Sequence, residues 1–199
     1  MSEPAAAPSV AAEVRELLET SGALLGGHFL LSSGRHSPHY VQCALLLEDP
    51  RRARRVGEWL ATRLAPYRPD SVLAPAMGGL LVGHETAAAL GVTFRFTERR
   101  GGVMELRRGF RLHPGERLVV VEDVVTTGKS TLETVAVARE AGAEVVAAGS
   151  IIDRTGAGEP FPFPLESLLS LTFPTYPPDE CPMCAEGGTP VKPGSREAV

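Results

Sequence analysis

One uninterrupted apolar run constrains the fold of this chain more than any other feature. Residues 118–121 read Leu-Val-Val-Val, a pattern typical of strands that are buried on both faces of a parallel sheet. Two acids, Glu122 and Asp123, follow the run, and a turn over residues 126–131 leads into a segment with helical spacing of apolar residues. The stretch therefore predicts a strand, a turn and a helix. The acids are expected at the carboxyl end of the strand, where open α/β sheets bind their ligands.

The turn is chemically suited to a phosphate group. It supplies hydroxyls, Gly128 and backbone N–H groups at a predicted helix N-terminus, which together make a common anion site. The carboxylates of Glu122 and Asp123 suit ribose hydroxyls. A P-loop is excluded, because that motif requires a glycine five residues before Gly128, where this chain has Asp123. The alternative is a strand-to-helix turn with a solvated acidic pair.

Residues 120–131, which read V-V-E-D-V-V-T-T-G-K-S-T, resemble the phosphoribosyl pyrophosphate (PRPP) motif of the type I phosphoribosyltransferases. In that family the acidic pair holds the ribose hydroxyls and the turn binds the 5′-phosphate. The residues that the resemblance places on PRPP are Glu122, Asp123, Val124, Val125, Thr126, Thr127, Gly128, Lys129, Ser130 and Thr131.

A second resemblance lies near the N-terminus. Residues 29–40, F-L-L-S-S-G-R-H-S-P-H-Y, are similar to the N-terminal signature of the orotate phosphoribosyltransferases, which forms a hood over the active site. The resemblance implies that Tyr40 stacks on the pyrimidine. The residues it implies for orotate binding are Ser33, Gly34, Tyr40, Thr126 and Arg154. Judged alone, the segment is equally consistent with a hairpin turn rich in small polar residues.

A second strand–turn–helix unit spans residues 71–90. A short strand over 71–75 precedes Ala76-Met77-Gly78-Gly79, and a helix is expected to continue through residue 90. Paired glycines allow backbone amides to approach a pyrophosphate closely. The resemblance implies that these four residues form the pyrophosphate loop and bind PRPP, with a cis peptide between Ala76 and Met77. A tight turn without a ligand is the alternative.

A strand over residues 92–97 continues into an arginine-rich segment. Gly101-Gly102 between alternating stretches predicts a hairpin. In the resembled family this region is a mobile loop that closes over PRPP, partly from the neighbouring subunit, and the alternative is an exposed basic hairpin. The implied loop arginines are Arg99 and Arg100, proposed as catalytic with Glu122 and Asp123, and Arg107 and Arg108, proposed as PRPP ligands.

Three departures from the better-known bacterial members concern lysines. Those proteins carry lysines where this chain has Ser32 and Gly78, and their mobile loop contains lysines and a histidine. Arginine cannot act as a general acid at neutral pH. We therefore expect the arginines to stabilise the charge of the leaving pyrophosphate rather than to transfer a proton.

Arg154 follows a predicted buried strand over residues 144–152. An arginine at the carboxyl end of a strand can hold a carboxylate through two hydrogen bonds. The resemblance implies that Arg154 contacts the orotate carboxylate, and the alternatives are a salt bridge or solvent exposure.

The C-terminal part of the chain changes character. Residues 165–173 are apolar enough to add a short helix or strand to the hood. Cys181 and Cys184 have metal-ligand spacing, but a structural zinc ion needs four ligands and the chain has no second cysteine pair. A zinc site completed by ligands from a second subunit and a redox disulfide between the two cysteines are the alternatives. A reduced pair with a structural role is favoured.

The predicted fold class is α/β: a type I phosphoribosyltransferase-like open parallel sheet, doubly wound, with helices on both faces and a small hood subdomain. Alternation of strands at 71–75, 92–97, 118–122 and 144–152 with helices supports it. The 199 residues are expected to form a single domain. Its predicted parts are the hood at about 22–47 and 160–175, the core at about 50–158 and the tail at 176–199.

The net charge of −4 gives no indication of a nucleic-acid partner. Neither a signal peptide nor a membrane span is evident, so no membrane partner and a cytoplasmic location are expected. The resemblance implies transfer of ribose 5-phosphate from PRPP to orotate in pyrimidine biosynthesis, giving orotidine 5′-monophosphate and pyrophosphate. It also implies Mg²⁺, bound through PRPP and water near Glu122 and Asp123 without direct protein ligands, and a homodimer. A purine-base phosphoribosyltransferase and a PRPP-binding regulator are the alternatives.

Overall fold

The computed structural model describes residues 8–31, 33–156, 158 and 161–193, so that Ser32, residue 160 and the end of the predicted tail lie outside the described residues. Helices α1 to α6 span Val10–Thr20, Cys43–Leu47, Pro50–Leu64, Gly79–Leu90, Lys129–Glu140 and Pro182–Ala185. Strands β1 to β8 span Leu24–Leu30, His36–Val41, Ser71–Pro75, Thr93–Arg100, Val103–Leu106, Arg117–Val125, Glu144–Asp153 and Leu165–Ser170.

The core is a six-stranded sheet in the order β5-β4-β3-β6-β7-β8. All neighbours are parallel except β4 and β5, which form an antiparallel hairpin. Strand β6 lies inside the sheet, and its residues 118–121 are fully buried, as the apolar run predicts. Helices α3 and α4 pack on one face of the sheet and α5 on the other. The α/β prediction with helices on both faces is therefore confirmed.

Strand β6 is longer than predicted. It continues through Glu122 and Asp123 to Val125, which pairs with Asp153 of β7. The two acids therefore lie within the part of β6 that pairs with β7, and not in the loop after the strand. Because successive side chains of a strand point to opposite faces, the two carboxylates are directed to opposite sides of the sheet.

Helix α3 begins with a capped first turn. The Asp49 carboxylate accepts a hydrogen bond from the Arg51 N–H at 2.9 Å, and Pro50 occupies the first helical position. Val56, Leu60 and Leu64 are fully buried against the sheet. The helix is thus fixed by its cap and by its apolar face, as its sequence indicates.

Two assignments near the hood are corrected by the structure. Residues 43–47, expected in the hood, form the short helix α2, whose Leu46 is fully buried in the core. Residues 165–170, expected in the hood, form β8 and extend the core sheet beside β7. The reason is pairing: β7 needs a partner on its outer edge, and β8 supplies one while burying Leu168 and Leu169.

The hood itself is the antiparallel hairpin of β1 and β2. Two points of the C-terminal segment pair with its outer edges, with Val191 beside Phe29 on β1 and Tyr176 beside His36 on β2. The segment after β8 therefore reaches the hood, although β8 does not. Among the described residues, no helix combines the length and apolar character needed to cross a membrane.

Helices α3 and α4 cross at an unusually short distance. A Cβ atom built at Gly57 would lie 2.6 Å from both the backbone carbon and the Cβ of Glu85. The opposing atoms belong largely to a helix backbone, so they cannot rotate away. The position therefore admits only glycine without a shift of one helix.

We expect Gly57→Ala to destabilise the protein. Overpacking costs about 1–3 kcal/mol, more than the ~1 kcal/mol that alanine gains over glycine in a helix, and each kcal/mol shifts the Tm of a domain this size by about 2–4 °C. Thermal unfolding followed by circular dichroism measures the effect. Glu58→Ala, at the exposed neighbouring position, is the control and should leave the Tm nearly unchanged. An unchanged Tm for Gly57→Ala would show that the helices separate at no cost.

Candidate active site

Asp123 and the glycine loop before α4 form the centre of the candidate site. A Cβ atom at Gly78 would lie 2.5 Å from Asp123 Oδ1 and 2.7 Å from its Oδ2. The loop backbone therefore lies directly against the carboxylate, which only glycine permits. The Ala76–Met77 peptide is cis, as the resemblance implies.

The environment of Asp123 disfavours its charge. Burial raises the pKa of its carboxyl, and the Val124 N–H, which donates to Oδ1 at 2.9 Å, opposes that shift only in part. The Cys43 thiol lies in the same region, since burial first and the Asp123 charge second raise its pKa. An anion held in this way is stabilised when a cation or hydroxyl donors approach it.

Glu122 has a different role in the structure. Its Oε1 accepts hydrogen bonds from the Ser130 hydroxyl at 2.6 Å and from the Thr131 hydroxyl at 3.3 Å. Both donors belong to the first turn of α5, and Glu122 is only 6% exposed. The buried carboxylate therefore fixes the start of α5 relative to β6. The prediction that Glu122 also contacts ribose stays a prediction.

The turn between β6 and α5 is open to solvent. Gly128 has φ +72°, a left-handed conformation that favours glycine, and it directly precedes α5. Thr126, Thr127 and Lys129 are exposed around the helix N-terminus. The turn thus presents hydroxyls and N–H groups outward, as an anion site requires.

Arg154 lies just beyond the carboxyl end of β7 and is partly buried. Its Nε is buried and has no hydrogen-bond partner in the described part of the chain. Its guanidinium lies 4.8 Å from the ring centre of Phe173. Burial lowers the pKa of Arg154, and the charge of Tyr40 opposes this shift. The structure therefore brings Arg154 near Tyr40, as predicted from the hood signature.

Phe173 is a residue that the sequence did not reveal. It lies after β8, and its ring contacts both the Arg154 guanidinium and the His39 ring, with ring centres 5.1 Å apart in the second pair. It links the core, the hood and the segment that leads to the tail. Its aromatic character is the only sequence signal, since nothing local identifies its contacts. The hood residues Ser33 and Gly34 lie at the exposed tip of the hairpin.

The predicted basic hairpin is present, but three of its arginines form ion pairs: Arg99, Arg107 and Arg108. Gly101 and Gly102, with φ +57° and +87°, form its tip. Arg107 and Arg108 both bind Glu98, at 3.2 and 3.0 Å. The hydrogen bond from Arg108 lowers the pKa of the Glu98 carboxyl.

The two catalytic candidates of the hairpin differ in their surroundings. Arg99 binds Glu133 of α5 and donates to the Gly102 carbonyl. Arg100 is exposed next to the tip, and among the described residues it makes no ion pair. Sequence reasoning located the arginines but missed Glu98 and Glu133, because neither carboxylate stands out by local pattern.

Three comparisons with known proteins agree with this arrangement. Residues 44–162 match the phosphoribosyl transferase domain model. The chain is 51% identical over 183 residues to an orotate phosphoribosyltransferase of Thermotoga maritima, covering 92% of this chain and 98% of that protein. The chain belongs to the orotate phosphoribosyltransferase family.

Solved structures of the same family extend the comparison. The crystal structure of an orotate phosphoribosyltransferase from Aeropyrum pernix superposes with a TM-score of 0.68 at 30% identity, covering 79% of this chain and 93% of that one. The enzyme of Mycobacterium tuberculosis H37Rv in complex with PRPP gives a TM-score of 0.65 at 27% identity, covering 81% and 96%. The orotate phosphoribosyltransferase fold therefore extends over most of the described chain.

The raised pKa of Asp123 predicts the pH dependence of an Asp123→Asn variant. A carboxyl whose pKa is raised on folding destabilises the folded protein when it is ionised, and this cost vanishes once the pH falls below the unfolded pKa. Asp123→Asn should therefore have a higher Tm than wild type at neutral pH, and the difference should shrink on acidification. Thermal unfolding as a function of pH measures it.

Asp49→Asn is the matched control of opposite sign. Hydrogen bonds from Arg51 lower the pKa of Asp49 to about 2, so its charge stabilises the folded protein above the unfolded pKa. This variant should have a lower Tm than wild type at neutral pH, again with a difference that shrinks on acidification. Equal shifts in both variants would contradict the assignment of a destabilising charge to Asp123.

Proposed function

We propose that this chain catalyses the transfer of ribose 5-phosphate from PRPP to orotate, giving orotidine 5′-monophosphate and pyrophosphate. The observation that carries the proposal is Arg154: a partly buried guanidinium with an unpartnered Nε, close to Tyr40 and at the same sheet edge as Asp123. An anion such as the orotate carboxylate would neutralise this guanidinium and accept its hydrogen bonds. The aromatic ring of Tyr40 suits the planar pyrimidine.

The reaction requires little covalent chemistry from the protein. The bond between ribose C1 and the pyrophosphate oxygen breaks, a bond from C1 to the orotate nitrogen forms, and C1 passes through an oxocarbenium-like state. In this proposal Asp123 holds the ribose hydroxyls near that centre, the buried Glu122 fixes the first turn of α5 through Ser130 and Thr131, and the turn at 126–131 suits the 5′-phosphate. Fixing both ends of the sugar orients C1 toward the base.

The pyrophosphate half of the site depends on backbone groups and arginines. Gly78 brings the loop backbone next to Asp123, and we propose that the N–H groups of this loop bind the pyrophosphate oxygens. Arg99, Arg107 and Arg108 are held by Glu133 and Glu98, so their use on pyrophosphate requires an exchange of partners. Their contribution is electrostatic, because arginine keeps its proton.

Mg²⁺ is the implied metal, and the donor set fits it. Asp123 offers hard carboxylate oxygens, and because burial raises the pKa of this carboxyl, a nearby cation would favour its charged form. Mg²⁺ prefers few carboxylates together with water and phosphate oxygens, so Asp123 and Glu122 would hold it through PRPP and water. When bound, it neutralises charge on the pyrophosphate.

Turnover with Mg²⁺, PRPP and a panel of bases tests the proposal. Orotate should be converted, and adenine, hypoxanthine and uracil should not, because they lack the carboxylate that Arg154 would bind. Pyrophosphate release and product formation measured together give the stoichiometry. Conversion of a purine instead of orotate would favour the purine-base alternative, and PRPP binding without any turnover would favour a regulator.

Arg154→Ala should weaken orotate use specifically. Loss of a charge-assisted hydrogen-bonded pair costs about 1.5–3 kcal/mol, so kcat/KM for orotate should fall by roughly 10- to 150-fold. The KM for PRPP should stay nearly constant, because the proposed role of Arg154 is to bind the base and not the phosphate groups. Steady-state kinetics with each substrate varied in turn measure the split.

Arg54→Ala, on the exposed side of α3, is the control for this substitution and should leave both constants unchanged. Arg154→Lys should recover only part of the loss, since lysine cannot form two parallel hydrogen bonds. An equal rise of both KM values in Arg154→Ala would show that the residue supports the fold rather than the base.

The paired variant Arg99→Ala/Arg100→Ala should lower kcat while the shape of the pH–rate profile stays the same. Charge stabilisation lost from the leaving pyrophosphate slows the chemical step, whereas no proton donor is removed. Single-turnover measurements over a pH series check both points. An unchanged rate would contradict a catalytic role for these arginines, and a lost limb of the profile would contradict a purely electrostatic one.

We further propose a homodimer and a cytoplasmic location. The dimer is supported by the family resemblance, in which the basic loop acts partly on the neighbouring subunit, and by the exposure of Met77 and Leu81 beside the glycine loop. Light scattering after size-exclusion chromatography tests the oligomeric state.

A further inference from the structure

Four potential metal ligands converge outside the proposed active site. His28 and His36 belong to the hood hairpin, and Cys181 and Cys184 belong to the C-terminal segment. One ligand atom from each residue lies within 4.8 Å of the others. The cysteine pair thus obtains, within the same chain, the two further ligands that its sequence spacing requires.

The distances among these atoms match a tetrahedral metal site. His28 Nε2 lies 3.0 Å from His36 Nδ1, 3.5 Å from Cys181 Sγ and 3.7 Å from Cys184 Sγ, and Cys184 Sγ lies 3.3 Å from His36 Nδ1. With Zn–N bonds of about 2.0–2.1 Å and Zn–S bonds of about 2.3 Å, neighbouring ligands of a tetrahedral zinc ion lie about 3.3–3.8 Å apart. Three of these four distances fall in that range, and the 3.0 Å between the two imidazole nitrogens is slightly shorter, so the four atoms are close enough together to bind one ion.

Local structure brings the two sulfurs together. Cys181 precedes the single turn of α6, and the Cys184 N–H donates to the Cys181 carbonyl at 3.1 Å. Gly187, with φ +84°, ends the turn. A Cβ at Gly188 would lie 2.8 Å from the Met183 carbonyl oxygen and 3.3 Å from His28 Nδ1, so a glycine is needed for the segment to close over His28.

Backbone pairing holds the segment on both sides of the cluster. The Val191 N–H donates to the His28 carbonyl at 2.8 Å, and the His36 and Tyr176 backbones exchange two hydrogen bonds at 2.9 Å. The ligands therefore lie where the tail is already anchored to the hairpin. His36 and Cys181 are buried, with 5% and 3% of their surfaces exposed. Closed sites of this kind are typical of structural zinc.

We propose that His28 Nε2, His36 Nδ1, Cys181 Sγ and Cys184 Sγ form a structural Cys₂His₂ site for Zn²⁺. Two thiols lose their protons to solvent as they bind, so that two thiolates balance the charge of the ion while both imidazoles stay neutral. Four protein ligands leave no open position for a substrate. Soft thiolates with imidazoles select zinc over Mg²⁺, so this site is separate from the magnesium chemistry of the active site.

The site would connect the tail to the base-binding part of the hood. Arg35 donates to the Thr175 carbonyl at 2.6 Å, Tyr176 pairs with His36, and Phe173 lies under Arg154. Loss of the metal should therefore loosen the hood from its C-terminal side. If the proposed function holds, this loss should raise the KM for orotate more than the KM for PRPP.

Metal analysis of the full-length protein, purified without a metal-binding tag, tests the site independently of activity. Wild type should contain about one zinc ion per chain. Cys184→Ser and His28→Asn should lose most of it, whereas Cys43→Ala and His84→Ala should retain it, since Cys43 and His84 lie outside the cluster. A strong chelator should lower the Tm of wild type, and added Zn²⁺ should restore it.

Two further measurements on wild type avoid reliance on variants that fail to fold. Protein expressed with Co²⁺ should show the absorption of tetrahedral cobalt with thiolate charge transfer. Thiol titration of the denatured, chelated protein should find Cys181 and Cys184 reduced. Any of three results would overturn the proposal. The protein could fail to bind zinc when Zn²⁺ is added, its Tm could be unaffected by the chelator, or Cys181 and Cys184 could form a disulfide. None of these results depends on whether orotate is turned over.

Discussion

The close contact between the Asp123 carboxylate and the backbone of Gly78 determines the geometry on which the rest of the site depends. It places the glycine loop of one strand–helix unit against the acid of the next, which fixes the separation of the two units that we propose bind PRPP. Because the carboxylate is partly buried there, its charge opposes folding. The protein therefore maintains an electrostatically unfavourable group where an approaching substrate can relieve it.

Selection of the base is built from parts that are distant in sequence. Arg154 follows β7, Tyr40 lies in β2 of the hood, and Phe173, which contacts Arg154 and His39, lies on the segment after β8. The proposed phosphate-binding groups, in contrast, belong to two local strand–turn–helix units. This division explains how a common fold can keep its sugar-phosphate chemistry while the base pocket is assembled from variable connections.

Prediction from the sequence succeeded where the signal is local. The apolar run of β6 and the Gly101-Gly102 hairpin are each set by neighbouring residues, and the family motif implied the cis Ala76–Met77 peptide. Prediction failed where pairing over long separations decides. The assignment of residues 165–170 to the core sheet depends on the free edge of β7. The partners of Cys181 and Cys184 lie about 150 residues earlier, and Glu98 and Glu133 engage arginines through contacts that no spacing reveals.

The pairing of the tail with both outer edges of the β1–β2 hairpin has a consequence for solubility. A two-stranded hairpin by itself is marginally stable, and its unpaired backbone groups can recruit strands from other molecules. Tyr176 and Val191 cover these edges at one point each. A chain that loses about 25 residues from its C-terminus, by proteolysis or incomplete synthesis, would leave the outer edges of β1 and β2 unpaired and able to bind strands of other molecules. By pairing with these edges, the tail thus protects the protein from aggregation through the β1–β2 hairpin.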